Sequence, residues 1–270
     1  MSKSATTVLL LRACHLEPTV AVTVLAGVLA ASVGNEPATL ALLVIAVLSG
    51  QLVIGWSNDL LDVARDRQVE RGDKPLATGA LSARTVHIAL TGAALVCVVA
   101  SLLCGLWSGA VHLVLLVGSG LAYNLGLKRT VLSWLPYAVA FGSLPSVVTL
   151  ALDQPVVAPV WMTAAGALLG VGAHLVNVIP DLDDDAATGV RGLPHVLGRR
   201  WSLLGATLVL VAASVAAALG PPGAAPLVAW VGLALVVVLA VGTLLCSGRT
   251  PMRGAIAIAL VDVLMLTLAG

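Results

Sequence analysis

A chain of 270 residues that is 59% hydrophobic and only 10% charged is not composed like a water-soluble domain, which carries about 25% charged residues. Its mean hydropathy is +1.06, and its apolar runs approach the ~20 residues that a bilayer-crossing helix needs. It reads as an integral membrane protein, with membrane lipid as its surroundings and no nucleic-acid partner expected.

Nine spans are predicted in chain order: roughly 8–33, 38–57, 85–104, 107–126, 131–150, 157–179, 201–219, 224–246 and 251–269. The expected fold class is therefore all-α: a polytopic protein of nine transmembrane helices, forming one domain over 1–270. In the first span Arg12, His15, Glu17 and Pro18 interrupt the early turns. A cleaved signal peptide ending near "LAAS" is the alternative there, and charges inside its would-be apolar region argue against it. Cys14, Cys97, Cys104 and Cys246 form no CxxC pair or zinc spacing, so they read as small hydrophobes.

The fourteen basic residues fix the orientation. Lys3 and Arg12 precede or open the first span. Arg65, Arg67, Arg71, Lys74 and Arg84 lie between spans two and three, and Lys128 and Arg129 between four and five. Arg191, Arg199 and Arg200 lie between six and seven, and Arg249 and Arg253 between eight and nine. The opposite loops contain none. Basic loops stay on the cytoplasmic side, so the N-terminus and these loops are expected there.

Acid is concentrated in two places. "NDLLDVARD" (58–66) and "NVIPDLDDD" (177–185) each begin with Asn and place Asp four and eight residues later. On an α-helix that spacing puts Asn58, Asp62 and Asp66 on one face, about 6 Å apart along the axis. Asn177, Asp181 and Asp185 are expected to repeat it. Each stretch closes an apolar span, where negative charge opposes the helix dipole, so a solvated acidic cap explains the pattern poorly. Carboxylates sharing a face repel unless a cation separates them. Mg²⁺ suits that role, being held by one or two carboxylates together with substrate phosphate. Two acidic faces meeting at one mouth of the bundle would cradle a diphosphate, with Lys74, Lys128 and Arg129 neutralising its remaining charge. The Gly/Pro-punctuated segment "RGDKPLATGALS" (71–82) reads as an ordered loop.

At these residues the sequence resembles the UbiA superfamily of intramembrane prenyltransferases. Asn58, Asp59, Asp62 and Asp66 fill the NDxxDxxxD motif, and Lys74, Pro75 and Gly79 resemble the Lys–Pro–Gly that follows it. "YNLGLKR" supplies Tyr123 and Lys128. Asp181, Asp185, Gly189, Leu193, Pro194 and Gly198 resemble the second motif, and Arg12 with Pro18 the early Arg and Pro of the first helix. The resemblance runs from residue 12 to about 200. It implies a nine-helix ring around a central apolar cavity, with the acidic motifs at the cytoplasmic rim of a bacterial cell membrane. The implied reaction is Mg²⁺-dependent transfer of a prenyl group from a prenyl diphosphate to an aromatic or lipid acceptor. The alternative is a UbiA-type terpene cyclase, which needs no acceptor.

By the same resemblance Asp62, Asp66, Asp181 and Asp185 are the catalytic acids, and with Asn58 they are the Mg²⁺ ligands. Asn58, Lys74, Tyr123, Lys128, Asn177 and Arg12 would contact the substrate. Asp59, about 100° off the ligand face, is expected behind it, and Asp183 and Asp184 are expected as solvated charges. Trp56, Trp134, Tyr137 and Phe141 are candidates for cation–π contact with a carbocation. Glu17 is expected to pair with Arg12 or touch the acceptor, and His174 to face the cavity. Asp262, alone in mid-span, is expected to be neutral and hydrogen-bonded. A cation-coupled transporter would hold its acid near the midplane; here the acid lies at span ends.

Overall fold

The computed structural model describes residues 3–245 and 250–269. Cys246, Arg249, Gly270 and the side chain of Lys3 lie outside that description. Among the described residues the chain forms helices and no strands: α1 (Lys3–Ala13), α2 (Leu16–Ser32), α3 (Pro37–Gln68), α4 (Ala83–Leu103) and α5 (Leu106–Leu125) come first. Then follow α6 (Leu135–Thr149), α7 (Val160–Ala187), α8 (Leu193–Leu219), α9 (Leu227–Leu244) and α10 (Thr250–Ala269).

The predicted first span is two helices that meet at 78°. His15 turns the corner in the left-handed region, with φ 56 and ψ 64. Pro18 sits in the first turn of α2, where its missing N–H costs no helical bond; this is the reason the apolar run breaks there. Six helices are long and apolar enough to cross a membrane, or seven if α1 and α2 count as one broken span. The predicted nine is not reached on that measure, because α6 has 15 residues and α10 is not in the set. Hydropathy registers apolar runs, not the lengths the backbone finally gives them.

Six helices wall a central cavity: α2, α3, α5, α6, α7 and α10. α4 packs on α3, α8 on α7, and α9 on α8 and α10, and none of these three supplies a lining residue. Consecutive helices from α2 to α10 nonetheless pack side by side and α10 returns to α2, so the implied ring around a central cavity is present, with six of its helices lining the cavity. Small residues let the wall close tightly. A Cβ at Gly166 or Gly170 of α7 would collide with the carbonyl oxygens of Phe141 and Tyr137, so the glycines let α6 lie against α7. Large apolar side chains such as Leu95, Trp107, Val160 and Leu208 point outward, as lipid contact requires.

Candidate active site

α3 continues for about three turns past its predicted apolar end and carries the first acidic stretch as regular α-helix. Asp62 and Asp66 are both buried at 3% exposure. A buried carboxylate needs a cation and hydrogen bonds, and Asp62 has both. Lys128 Nζ donates to its two oxygens at 2.6 Å, Arg65 Nη2 at 3.0 Å and Asn58 Nδ2 at 2.9 Å. Arg65 Nη2 also lies 3.8 Å from Asp66. Lys128 is delivered by the short 3₁₀ turn Leu127–Arg129 after α5. Burial pulls its ammonium below the ordinary lysine range, with Asp62 opposing that shift.

Asp59, on the other face, is 1% exposed. It accepts a 2.5 Å hydrogen bond from Lys74 Nζ, which is also 2.9 Å from His15 Nε2. The loop holding Lys74 is ordered, as its punctuation predicts. Leu81 N donates to Pro75 O, Thr78 N to Lys74 O, and Gly79 takes a positive φ of 76, while Leu76 and Leu81 are buried. Lys74, expected at the diphosphate, therefore stands against Asp59 and His15, beside the acidic face.

The second stretch has the same spacing but another geometry. α7 is α-helical to Val178, tightens to a 3₁₀ turn over Ile179–Asp181, and resumes at Leu182. Pro180 lies in that turn, and because a 3₁₀ turn holds three residues the face shifts phase across it. The regular helical face expected for Asn177, Asp181 and Asp185 is interrupted there. Asn177 turns inward and donates to the Tyr137 hydroxyl at 3.3 Å. Asp181, with its side chain 42% exposed, meets Arg71 Nη1 at 3.0 Å. Asp185 meets Arg65 Nη1 at 3.3 Å. Arg71 is clamped in turn by Asp73, which holds the Asp73 carboxyl down at about 2.

One guanidinium thus joins the two stretches: Arg65 touches Asp62 and Asp66 on one side and Asp185 on the other. Below it lies a cavity of about 210 Å³, lined near its mouth by His15, Asn58, Tyr123, Asn124 and Asn177 and deeper down by apolar side chains. Tyr123, Tyr137 and Phe141 form an aromatic wall. Tyr123 and Tyr137 pack edge to face at 5.3 Å, and Tyr137 stacks on Phe141 at 6.5 Å. His174 sits behind the two tyrosines and is paired with Ser133. Trp56 and Trp134 do not line the cavity; Trp56 Nε1 instead ties α3 to Leu10 O of α1 at 2.9 Å.

Several other expectations shift. Arg12 is exposed at the end of α1, and Arg129 is exposed beside Lys128. Glu17 pairs with Arg253 of α10 at 2.7 Å, not with Arg12. Asp183 and Asp184 are exposed. Residues not singled out from sequence now matter. Asn124 receives a bond from Asn58 and donates to Ile54 O and Ser57 Oγ; as one of only four asparagines, next to Tyr123, it carried a signal. Arg65 is legible as the i+3 partner of Asp62. His15 is not, since only the bend brings it to Asn58, at 3.2 Å.

Among the described residues no three Asp, Glu, His or Cys side chains converge closely enough to hold a metal ion by themselves; Arg65 and Lys128 stand among the carboxylates. The donor set nonetheless suits a hard divalent cation. Asp62, Asp66 and Asp185 offer carboxylate oxygens around a position where one positive group is already accommodated. Such ions are completed by water and substrate phosphate. Chemically, the arrangement can bind an anion through cations at the mouth of an apolar chamber.

The model of the UbiA prenyltransferase family matches residues 20–260. Among solved structures, the chain is similar to an apo UbiA homolog from Aeropyrum pernix K1. That pair has 20% identity and a TM-score of 0.75, with 94% of this chain and 96% of the other covered. A UbiA homolog from Archaeoglobus fulgidus bound to GPP and Mg²⁺ is 14% identical with a TM-score of 0.71, covering 97% and 99%. A digeranylgeranylglyceryl phosphate synthase in membranes is 15% identical with a TM-score of 0.67, covering 98% of each chain. No match was found among curated proteins.

Proposed function

The chain belongs to the UbiA prenyltransferase family, and from that premise we propose that it transfers a prenyl group, within the membrane and with Mg²⁺, from a prenyl diphosphate to an aromatic or lipid acceptor. The observation that carries this reading is the Arg65 bridge between the two acidic stretches at the mouth of an apolar cavity. It puts both stretches within reach of one anionic ligand and its counter-cations. The homolog bound to GPP and Mg²⁺ has the same fold, which makes the pairing of ligand and site reasonable.

Asp62, Asp66 and Asp185, with Asn58 beside them, would hold the Mg²⁺, and Asp181 lies at the rim within reach of Arg71. Bound there, the metal would offset charge on the leaving diphosphate. The chain's own residues do the rest. Lys128, Arg65 and Lys74 supply fixed positive charge for the diphosphate oxygens. The cavity below keeps water from the allylic cation once the C–O bond has opened. Tyr123, Tyr137 and Phe141 present aromatic faces to it, and such faces attract cations. The acceptor's nucleophilic atom then bonds to the allylic carbon and loses its proton.

The distribution of basic loops supports a cytoplasmic position for this mouth. Cysteines introduced at Asp153 and Gly223, on the opposite loops, should then label from outside only. The reaction itself is tested by diphosphate release in Mg²⁺-containing nanodiscs. Geranyl, farnesyl or geranylgeranyl diphosphate alone should give slow release. A panel of hydroxybenzoate, naphthoate and glyceryl phosphate acceptors should contain one that accelerates it and is recovered prenylated. Rapid acceptor-free conversion to a cyclic terpene would overturn transfer while leaving the diphosphate site in place.

A further inference from the structure

Asp262 belongs to no part of the site described above. It lies on α10, is 2% exposed, and neither carboxyl oxygen has a hydrogen-bond partner in the protein. Ser214 of α8 is its polar neighbour, but the Ser214 hydroxyl donates to Leu210 O at 3.2 Å. A polar group buried without a partner is costly, and an ionisable side chain inside a membrane helix marks a functional position by default.

What Asp262 faces is informative. It lines a second cavity with about 40 Å³ of internal space. That chamber shares Leu25, Phe141, Leu144 and Leu169 with the central one. On each shared helix its other walls lie further from the acidic mouth: Leu29 on α2, Pro145 on α6, Ala165 on α7 and Val263 on α10. The two spaces adjoin across these shared side chains and line up as a column, polar at the mouth, apolar along its length and polar again at Asp262. From Asn177 to Ala165 the column is about 18 Å long, at ~1.5 Å of rise per helical residue. The deep chamber has room for a water, which needs roughly 10–15 Å³ of such space, and a carboxyl group there can both accept from and donate to an O–H group.

We propose that Asp262 is a polar floor of the prenyl cavity: it binds a hydroxyl group in the deep chamber and so limits how far an apolar prenyl chain can run. This rests on the prenyl diphosphate reading above. The hydroxyl comes either from an ordered water or from the far end of a hydroxylated ligand; in both cases an apolar chain end pushed onto Asp262 must strip that hydrogen bond without replacing it.

The test is equilibrium binding in Mg²⁺-containing nanodiscs. Geranyl, farnesyl and geranylgeranyl diphosphates are compared with the ω-hydroxylated form of each. Asp262→Leu should raise the affinity for geranylgeranyl relative to geranyl diphosphate by about tenfold, whereas Asp262→Asn, which still hydrogen-bonds, should move that ratio much less. Ala165→Leu fills the chamber from α7 and should lower the same ratio; it keeps the proposal testable should Asp262→Leu fail to fold. A wild-type preference for an ω-hydroxylated compound, lost in Asp262→Leu, identifies the ligand as the source of the hydroxyl. A shifted length ratio with no such preference identifies water. An unshifted ratio in both Asp262→Leu and Ala165→Leu overturns the floor even when every diphosphate binds. Failure of the wild type to bind any of them overturns the parent reading, and the floor with it.

Discussion

Two stretches with the same spacing of Asn and Asp end up doing different structural work. The first is carried on unbroken α-helix, buried, with Asp62 held by Lys128, Arg65 and Asn58. The second is broken by the 3₁₀ turn at Pro180, and its three members part company: Asn177 into the aromatic wall, Asp185 to Arg65, Asp181 outward to Arg71. Spacing therefore fixes a shared face only while the helix stays regular. The first stretch is the continuous half of the site and the second the interrupted half, joined through Arg65.

The largest effect that follows is at Asp62. Asp62→Asn should lower turnover by ~10³-fold or more, the scale seen when a main electrostatic stabiliser is removed. Asp181→Asn, at a half-exposed position, should cost nearer tenfold. Equal losses, measured as Mg²⁺-dependent diphosphate release under saturating substrate, would erase the distinction between halves. Next comes Lys128→Ala, which leaves the buried Asp62 without its shortest partner. Breaking a buried pair costs about 3–5 kcal/mol, so unfolding in detergent should show a loss of that order. Arg71→Ala, releasing the half-exposed Asp181, should be nearly silent in the same assay.

A smaller effect is expected at the asparagines. Asn58→Ala removes bonds to both Asp62 and Asn124 and should reduce turnover several-fold more than Asn177→Ala, whose single 3.3 Å bond goes to Tyr137. The reverse order would make the second stretch the dominant half. Smallest is the acid response of the Arg71–Asp73 clip. Asp73 titrates at about 2 in the folded chain because Arg71 hydrogen-bonds it. Its contribution is thus present above the ordinary Asp value and is lost as pH falls toward 2. With its side chain 45% exposed, solvent screening leaves that contribution small. Protection of the loop backbone from exchange, corrected for the intrinsic pH dependence of amide exchange, should fall between pH 4 and 2 in the wild type and not in Asp73→Asn.

Much of this molecule could be read from the chain before any coordinates. The acidic face of α3 was legible because i, i+4 spacing survives in a regular helix, and the ordered loop around Lys74 because Gly and Pro restrict backbone angles in known ways. The interruption of the second face is not legible in the chain, because the effect of Pro180 on helical phase depends on packing that spacing does not encode. Nine apolar runs were visible, but the bend at His15 and the shortness of α6 were not, since hydropathy is blind to where a helix turns or stops. Cavity lining was legible only in part: Tyr137 and Phe141 line it, while Trp56 serves as a strut between α1 and α3.

The seam of the cavity has a bearing on how the protein is made. α2 and α10 lie side by side, with Glu17 and Arg253 paired across the join, and α10 supplies Met252, Ala255, Ile256, Ala259 and Leu260 to the wall. These are the earliest and latest of the six wall helices to leave the ribosome. Chains emerge N-terminus first, at about 5–20 residues per second, so the first five must wait in the bilayer as an open trough accessible to lipid. The central cavity lacks one side until the last helix arrives, and a nascent chain stalled before α10 would carry both acidic stretches beside an incomplete wall.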